Sequence, residues 1–389
     1  MKRLLTFFLI CFSFVEYTRA EDIIDYKYWD EGKLTWDDFQ DTLSLKGVPS
    51  TFNAFLRIKK TEKRDGNTRT IRPEAQACFD KRHSFADRQI QNENLLRLFQ
   101  LKYDLLEMYR RRLQTELNLG VVGIAADNRT RQYMDLYTEQ SKKAEQETEN
   151  GQNEIKLQEW EFYVTKELIE NPAPSIPRIS PRRFGYGFYL GTGASFPVGN
   201  IADYWAPAWQ INVGFDLAYA NTHLLCDFSA GTARTRQEIT VSNGQITDTW
   251  LRNGHNTYTS ISLGIGQQLV STKYFALMPY AGCIWSGYSD QAKIQEGRNE
   301  RTTLSYTNFN WTAGICFDYR FSTTISLVPS FWRGHREIFT ASIRTKLFIN
   351  REQFHNFKIA PDDNGSMLRG CKLGFSVACL GFSRLLQIK

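Results

Sequence analysis

Six charged residues in the C-terminal half fall at polar positions of otherwise alternating segments: Asp216, Asp227, Asp318, Arg320, Arg344 and Lys346. Three acids and three bases facing one enclosed space can neutralise one another, whereas isolated charges there would be costly. That is the chemistry of a paired interior. The types that carry catalysis or metal are dispersed. His83, His223, His255, His335 and His355 share no helix-turn spacing. The seven cysteines show no CxxC spacing, and no nucleophile elbow, P-loop or dinucleotide fingerprint occurs. These absences predict no catalytic residue, no cofactor and no metal. Lys+Arg 48 against Asp+Glu 42 is near balance, without a long basic stretch, which argues against a nucleic-acid partner.

The elements carrying the six charges alternate with period two. In 184–196, Phe184, Tyr186, Phe188 and Leu190 share one face, and Gly185, Gly187 and Tyr189 the other. In 209–219, Trp209, Ile211, Val213, Phe215, Leu217 and Tyr219 oppose Gln210, Asn212, Gly214, Asp216 and Ala218. Similar runs at 223–236, 256–270, 273–288, 307–321, 323–332 and 338–349 bring the expectation to eight strands over 184–350. Short turns are expected at 221–222, 271–273 and 322–323. Longer loops are expected at 197–207, 241–255 and 289–305, with a shorter one near 333–337. Alternating short and long connections are the pattern of an outer-membrane β-barrel. With the apolar face on lipid, all six charges point inward. Eight strands enclose room only for side chains, so a plugged interior is expected. Paired glycines at 191 and 193, and at 264 and 266, would relieve crowding. A soluble β-sandwich or lipocalin-like cup would alternate too, with its apolar face inside. Residues 351–389 follow the eighth run, and 372–385 alternates again, so the tail is either a separate packed segment or an extra strand. Cys371 and Cys379 are close in sequence, but the sequence leaves disulfide connectivity open.

Upstream the period changes. Leu95, Leu96, Phe99, Tyr103, Leu106 and Tyr109 recur mostly every three or four residues within 86–170, and further helices are expected at 133–147 and 155–168. Residues 34–60 read as extended, with a polar loop at 60–70. Four prolines in 171–181 predict a stiff linker, placed at 171–183, after a helical periplasmic domain at 21–170. The chain opens with Met1-Lys2-Arg3, an apolar run from Leu4 to Val15, and Thr18-Arg19-Ala20, the layout of a signal peptide cleaved after Ala20. Cys11 lies inside the apolar run, so a lipoprotein is the lesser reading. No apolar run of transmembrane-helix length follows. The expected fold is therefore an α+β, mainly helical periplasmic domain, then an all-β antiparallel membrane barrel of about eight strands.

Three stretches of the first domain resemble a family of secreted bacterial proteins of unknown function, predicted to be zinc-dependent proteases. Leu34-Thr35-Trp36-Asp37-Asp38-Phe39 is close to that family's LTWxDF opening. Residues 95–107 align with its LLxHEQxHFDIxE helix. Residues 147–151, followed by Gln158 and Trp160, align with ETxHG and the glutamine and tryptophan after it. The resemblance covers about residues 34–168. It implies a metalloprotease-like fold with the zinc chemistry removed. Leu98 and Lys102 stand at the two histidine positions, Phe99 at the glutamate and Asn150 at the third histidine. Gln100, Asp104 and Glu107 match the helix motif. With Asn150 they suggest a remodelled polar groove for a peptide or glycan; the plainer reading is a solvated or hydrogen-bonded helix face. Trp36, Phe39 and Trp160 read as core.

The expected function is an outer-membrane-anchored, non-catalytic binding or adaptor protein. Its expected partners are outer-membrane lipid and an unidentified periplasmic or envelope protein. A small transport or adhesion barrel is the alternative, and a protease with an unrecognised site the least favoured. The tips at 203–205 (Asp-Tyr-Trp) and 289–291 (Ser-Asp-Gln) could contact other surfaces, but read more simply as solvated loop ends.

Overall fold

The computed structural model describes residues 26–41, 49–242, 247–290, 305–328, 336–354 and 368–388. The signal peptide read at 1–20, His335 and His355 lie outside them. The chain forms two compact units. One comprises the chain to residue 59 together with 73–176; the other comprises 60–72 together with 177 onward.

The first unit contains β1 (Tyr26–Tyr28), β2 (Ser50–Thr51), β3 (Ala54–Asp65), β4 (Thr68–Asp80) and β5 (Phe85–Ala86), then α1 (Glu93–Leu119), α2 (Ile124–Glu147) and α3 (Glu154–Glu170). The tip of the β3–β4 hairpin belongs to the second unit. The stretch expected as a loop at 60–70 is therefore strand, turning at Gly66, whose φ of +59° is left-handed. Helix α1 starts where the Asn92 side chain accepts from Leu95 N at 2.8 Å, and ends at Gly120 with φ +123°. Helix α3 is capped by Asn153, which accepts from Lys156 N at 3.2 Å. Helix α2 begins at Ile124, nine residues before the expected start. Leu98, Leu101, Leu105, Leu106, Met108 and Leu113 of α1 are buried in the core of this unit. Trp36, Phe39 and Trp160 pack against that core.

The second unit is a closed antiparallel ring. Its strands are β6 (Ile179–Gly199), β7 (Ala208–Tyr219), β8 (Thr222–Arg234), β11 (His255–Gln267), β13 (Phe275–Asp290), β14 (Ser305–Ser326), β15 (Glu337–Phe354) and β16 (Leu368–Ile388). Each pairs with its neighbour in sequence, and β16 closes on β6. A hairpin of β9 (Ile239–Ser242) and β10 (Thr247–Trp250) lies between β8 and β11, and the short β12 (Val270–Ser271) pairs with β13. The hairpin tip pairs parallel with the end of β14, Thr68 opposite Thr323.

Eight strands were expected, but two boundaries differ. The expected turn at 322–323 is a register shift between Arg320 and Ser322 within one continuous strand. A bulge inserts an extra residue and breaks the alternation, which from sequence looks like a turn. The eighth strand is β16, inside the segment 351–389 that reads as either a packed tail or an extra strand. Strand β6 also starts at Ile179, inside the Pro-rich segment read as linker. With these boundaries the strand ends on either side of residues 200–207, 235–254, 291–304 and 355–367 lie at one end of the ring. Those on either side of 220–221, 268–274 and 327–336, with both barrel termini, lie at the other.

The apolar face is the outer one. Phe188, Phe215, Phe228, Ile261, Trp285, Phe317, Ile343 and Phe375, one from each strand, are exposed. Tyr189, Asp216, Leu225, Ser260, Tyr280, Asp318, Arg344 and Lys372 are buried on the inner side. A soluble cup would reverse this arrangement. Cys371 and Cys379 lie on the same strand, eight residues apart. That is about 26 Å along an extended chain, too far for a disulfide.

Candidate functional site

The lumen charges form layers. Nearest the short-turn end, Arg344 stands opposite Asp318 in the β14–β15 register. Its Nε donates to Asp318 Oδ1 at 2.7 Å and its Nη2 to Asp216 Oδ2 at 2.8 Å. Asp216 also faces His223 Nδ1 at 2.7 Å. Asp216 and Arg344 are 0% and 1% exposed, and Asp318 is 9% exposed, so the triad is largely buried.

The next layer lies on one rung across four strands: Tyr189, Gly214, Asp227 and Ser262 are successive cross-strand partners. A Cβ at Gly214 would collide with the Tyr189 ring, so the glycine lets that ring lie across β7. Its hydroxyl then bonds Asp227. Asp227 also takes Lys346 Nζ at 2.7 Å and Ser262 Oγ at 3.2 Å. The Lys346 ammonium lies 4.8 Å from the Tyr280 ring centroid.

Toward the long-loop end, Lys372 Nζ is 3.2 Å from Glu352 Oε1 and lies over Tyr258 and Tyr288 at 3.7 and 4.4 Å. Ser286 Oγ donates to Glu352 at 2.9 Å. Above it Trp205 stacks on Tyr288 at 4.6 Å, within a buried cluster containing Ile201, Ile239 and Trp250. Trp205 is thus the lid of the barrel interior, not the exposed tip expected from sequence. The cavity between the layers measures about 30 Å³, on the scale of one water.

Of the six charges singled out in the sequence, Asp216, Asp227, Asp318, Arg344 and Lys346 meet in these pairs. Arg320 does not. Its Nη1 donates to the Thr272 carbonyl at 2.6 Å, at the mouth. The pair Glu352–Lys372 is not among the six because both residues lie in 351–389, the segment that reads as either a tail or an extra strand. Its signal was present: Glu352 has the parity of Arg344 and Lys346, and Lys372 that of Gly374, Ser376 and Ala378.

At the short-turn end a cavity of about 400 Å³ opens below the Arg344 triad. Its wall includes His223, Lys273, Arg320, Arg344 and Arg384, with Asp318.

In the helical unit, Gln100 and Asp104 tie α1 to the chain before it. Asp104 Oδ1 accepts from Trp29 Nε1 at 2.8 Å and from Gln100 Nε2 at 2.6 Å, and Gln100 Oε1 accepts from Leu34 N at 2.8 Å. Burial raises the Asp104 carboxyl above its usual range, against the lowering effect of those two donors. Glu107, 2% exposed, accepts from Arg110 Nε at 2.5 Å and Arg111 Nε at 2.8 Å, beside a cavity of about 390 Å³. Asn150 is exposed, in the left-handed turn 149–151 that follows α2.

The positions aligned with the zinc motif are filled otherwise. Leu98 and Phe99 are core, and Phe99 stacks on Phe52 at 5.5 Å. Lys102 Nζ donates to Glu145 at 2.5 Å and lies 4.7 Å from the Phe52 ring centroid. Other aligned residues hold local structure. Asp38 caps its turn by accepting from Thr35 N at 2.9 Å and pairs with Lys27 at 2.6 Å. Trp160 Nε1 donates to Glu147 at 2.9 Å. Among the described residues no group of three His, Cys, Asp or Glu side chains is placed to hold a metal, and no helix is long and apolar enough to cross a membrane.

No family model matches the chain, and no curated protein matches it. Solved structures do. The attachment invasion locus protein Ail of Yersinia pestis, in complex with the heparin analogue sucrose octasulfate, is 11% identical over 52% of this chain and 99% of its own, with TM-score 0.27. The N-terminal β-barrel domain of Pseudomonas aeruginosa OprF is 10% identical over 51% and 99%, with TM-score 0.23. The outer membrane protein OprG of Pseudomonas aeruginosa is 8% identical over 54% and 99%, with TM-score 0.26.

Proposed function

We propose that this chain is an outer-membrane protein whose eight-stranded barrel is a closed anchor, and that the helical unit acts in the periplasm as a non-catalytic binding module. The observation that carries the reading is the inverted ring: exposed aromatic and aliphatic side chains on every strand, and paired charges inside. Such an outer face is stable against hydrocarbon and costly in water. Both barrel termini lie at the short-turn end, the periplasmic end of bacterial barrels, which supports the reading of the helical unit as periplasmic. The layered ion pairs and the Trp205–Tyr288 stack favour an anchor over a channel. Leu98, Phe99 and Lys102, at the positions of metal ligands and base in the family it resembles, favour binding over turnover.

The test is to fold the full chain into vesicles and planar bilayers. Heat-modifiable migration on gels without conductance steps, together with crosslinking in intact cells to an envelope protein that is lost when 21–172 is deleted, is expected. Sustained conductance steps would refute the closed barrel, and chelator-sensitive peptide cleavage would refute the non-catalytic module. Adhesion by the barrel itself is the second reading, favoured by the 235–254 connection. It folds as a hairpin with Ile239 and Trp250 buried, an ordered surface rather than a loose loop. Binding of the isolated barrel to host or abiotic surfaces would support it.

A further inference from the structure

The lumen network leaves two buried nitrogens unused at the short-turn end. His223 turns Nδ1 to Asp216, while its Nε2 has no partner although the residue is only 6% exposed. Arg344 commits Nε and Nη2 to carboxylates, and its equally buried Nη1 has no partner. Both residues line the 400 Å³ cavity. Arg320 and Arg384 line it too. Their guanidiniums donate to backbone carbonyls, of Thr272 for Arg320 and of Arg183 and Ala220 for Arg384. Among the described residues neither forms a direct ion pair, although the Asp318 charge acts on Arg320 and that of Asp216 on Arg384. The remaining cation, Lys273, is held by Asp65 at 3.2 Å, and Asp318 is already taken by Arg344.

We propose that this mouth cavity binds a small soluble oxyanion, a phosphate or carboxylate group carried by a solute. Around the cavity the three guanidiniums of Arg320, Arg344 and Arg384 face two carboxylates, Asp216 and Asp318, which leaves one net positive charge and a spare Arg344 N–H in a partly enclosed space, where an anion gains most. The planar forks of Arg320 and Arg384 suit the two-oxygen edge of phosphate or carboxylate. The Nε2 of His223 can donate when the ring is protonated, or accept an acidic O–H when it is neutral. The volume exceeds one inorganic ion, so the group would arrive on a small organic solute. The cavity lies within the ring, facing away from the apolar outer face, which favours a solute over a lipid headgroup. The inference rests on the barrel alone and not on the role of the helical unit.

The experiment is isothermal titration of the full chain in maltoside micelles, free of phospholipid, with inorganic phosphate in one arm and succinate in the other. Saturable binding in either arm is expected, and the stronger arm names the group. Arg320→Gln and Arg384→Gln should each weaken it at least tenfold, while Arg320→Lys keeps part of it. Arg351→Gln, at the opposite end of β15, should leave it unchanged. Folding of each variant is checked by heat-modifiable migration. If Arg320→Gln does not fold, Lys273→Gln, with a side chain over a third exposed, serves as a second wall variant, with a weaker loss expected. No saturable binding in either arm overturns the proposal. So does binding that both arginine variants retain, or that Arg351→Gln weakens equally.

Discussion

Replacing Arg344 with methionine tests whether the barrel interior is held by its charges. The guanidinium bridges Asp216 and Asp318 at 2.8 and 2.7 Å, with Asp216 and Arg344 almost wholly buried. Removing it leaves two carboxylates without the guanidinium that joins them, Asp216 keeping only its bond to His223 Nδ1. Breaking one partner out of a buried ionic group costs about 3–5 kcal/mol. At about 1.4 kcal/mol per tenfold, that is more than a hundredfold in the unfolding equilibrium. The assay is urea unfolding of the full chain in vesicles, followed by tryptophan fluorescence, with single and combined variants compared at matched slopes. Arg344→Met should unfold at markedly lower urea. Adding Asp216→Asn and Asp318→Asn to it should restore most of the loss, because no unpaired charge then remains. A single variant within about 1 kcal/mol of the parent, or a triple variant no better than the single, would refute the idea that charge pairing rather than volume packs this layer.

Phe215 is exposed near the middle of β7, ring to ring with Phe188 at 5.4 Å. Phe215→Arg should reduce stability in vesicles by about 2–4 kcal/mol if this face meets hydrocarbon; an unchanged urea midpoint would exclude membrane burial of the belt. In the helical unit, Asp104→Leu strips the acceptor from Trp29 and Gln100 and should cost about 1–3 kcal/mol in a circular-dichroism melt, whereas Asp104→Asn keeps an acceptor and should cost less. Because burial raises the Asp104 carboxyl in the folded state, its contribution is most favourable below the usual carboxylate range and is lost as pH rises through the folded value. Asp104→Asn should remove that slope, and a slope that persists would assign it to another group. Cys78 is fully buried, and burial raises its thiol to about 11, so iodoacetamide should modify it only after denaturation; mass spectrometry of the native protein showing it alkylated would contradict the packing around it.

The barrel was legible because each of its strands touches two different media. Where one side is apolar and the other a crowded polar interior, the sequence must alternate. That rule located Asp216, Asp318, Arg344 and Lys346 on the inner face before any partner was known. It failed where the backbone departs from strict alternation. The shift between Arg320 and Ser322 makes one strand read as two, and β16, arriving after a long connection, reads as either a tail or an extra strand. The two errors offset each other in the strand count but not in the site, since Glu352 and Lys372 become neighbours only once β15 and β16 are both inner-wall strands. Pairing across the lumen is a further step removed. Asp318 and Arg344 can be matched from the register of adjacent strands, but Asp216 reaches Arg344 only across the closed ring. Tyr189 reaches Asp227 only because Gly214 between them has no side chain. Local period therefore reports which face a residue is on, while closure decides whom it meets. In the helical unit the limit is different. Gln100 and Asp104 read as polar residues on a helix face, and nothing in their spacing says that they hold Leu34 N and Trp29 Nε1, contributed by chain some seventy residues earlier. Their carboxylate and amide look like an open groove in sequence because the segment that covers them is distant in the chain.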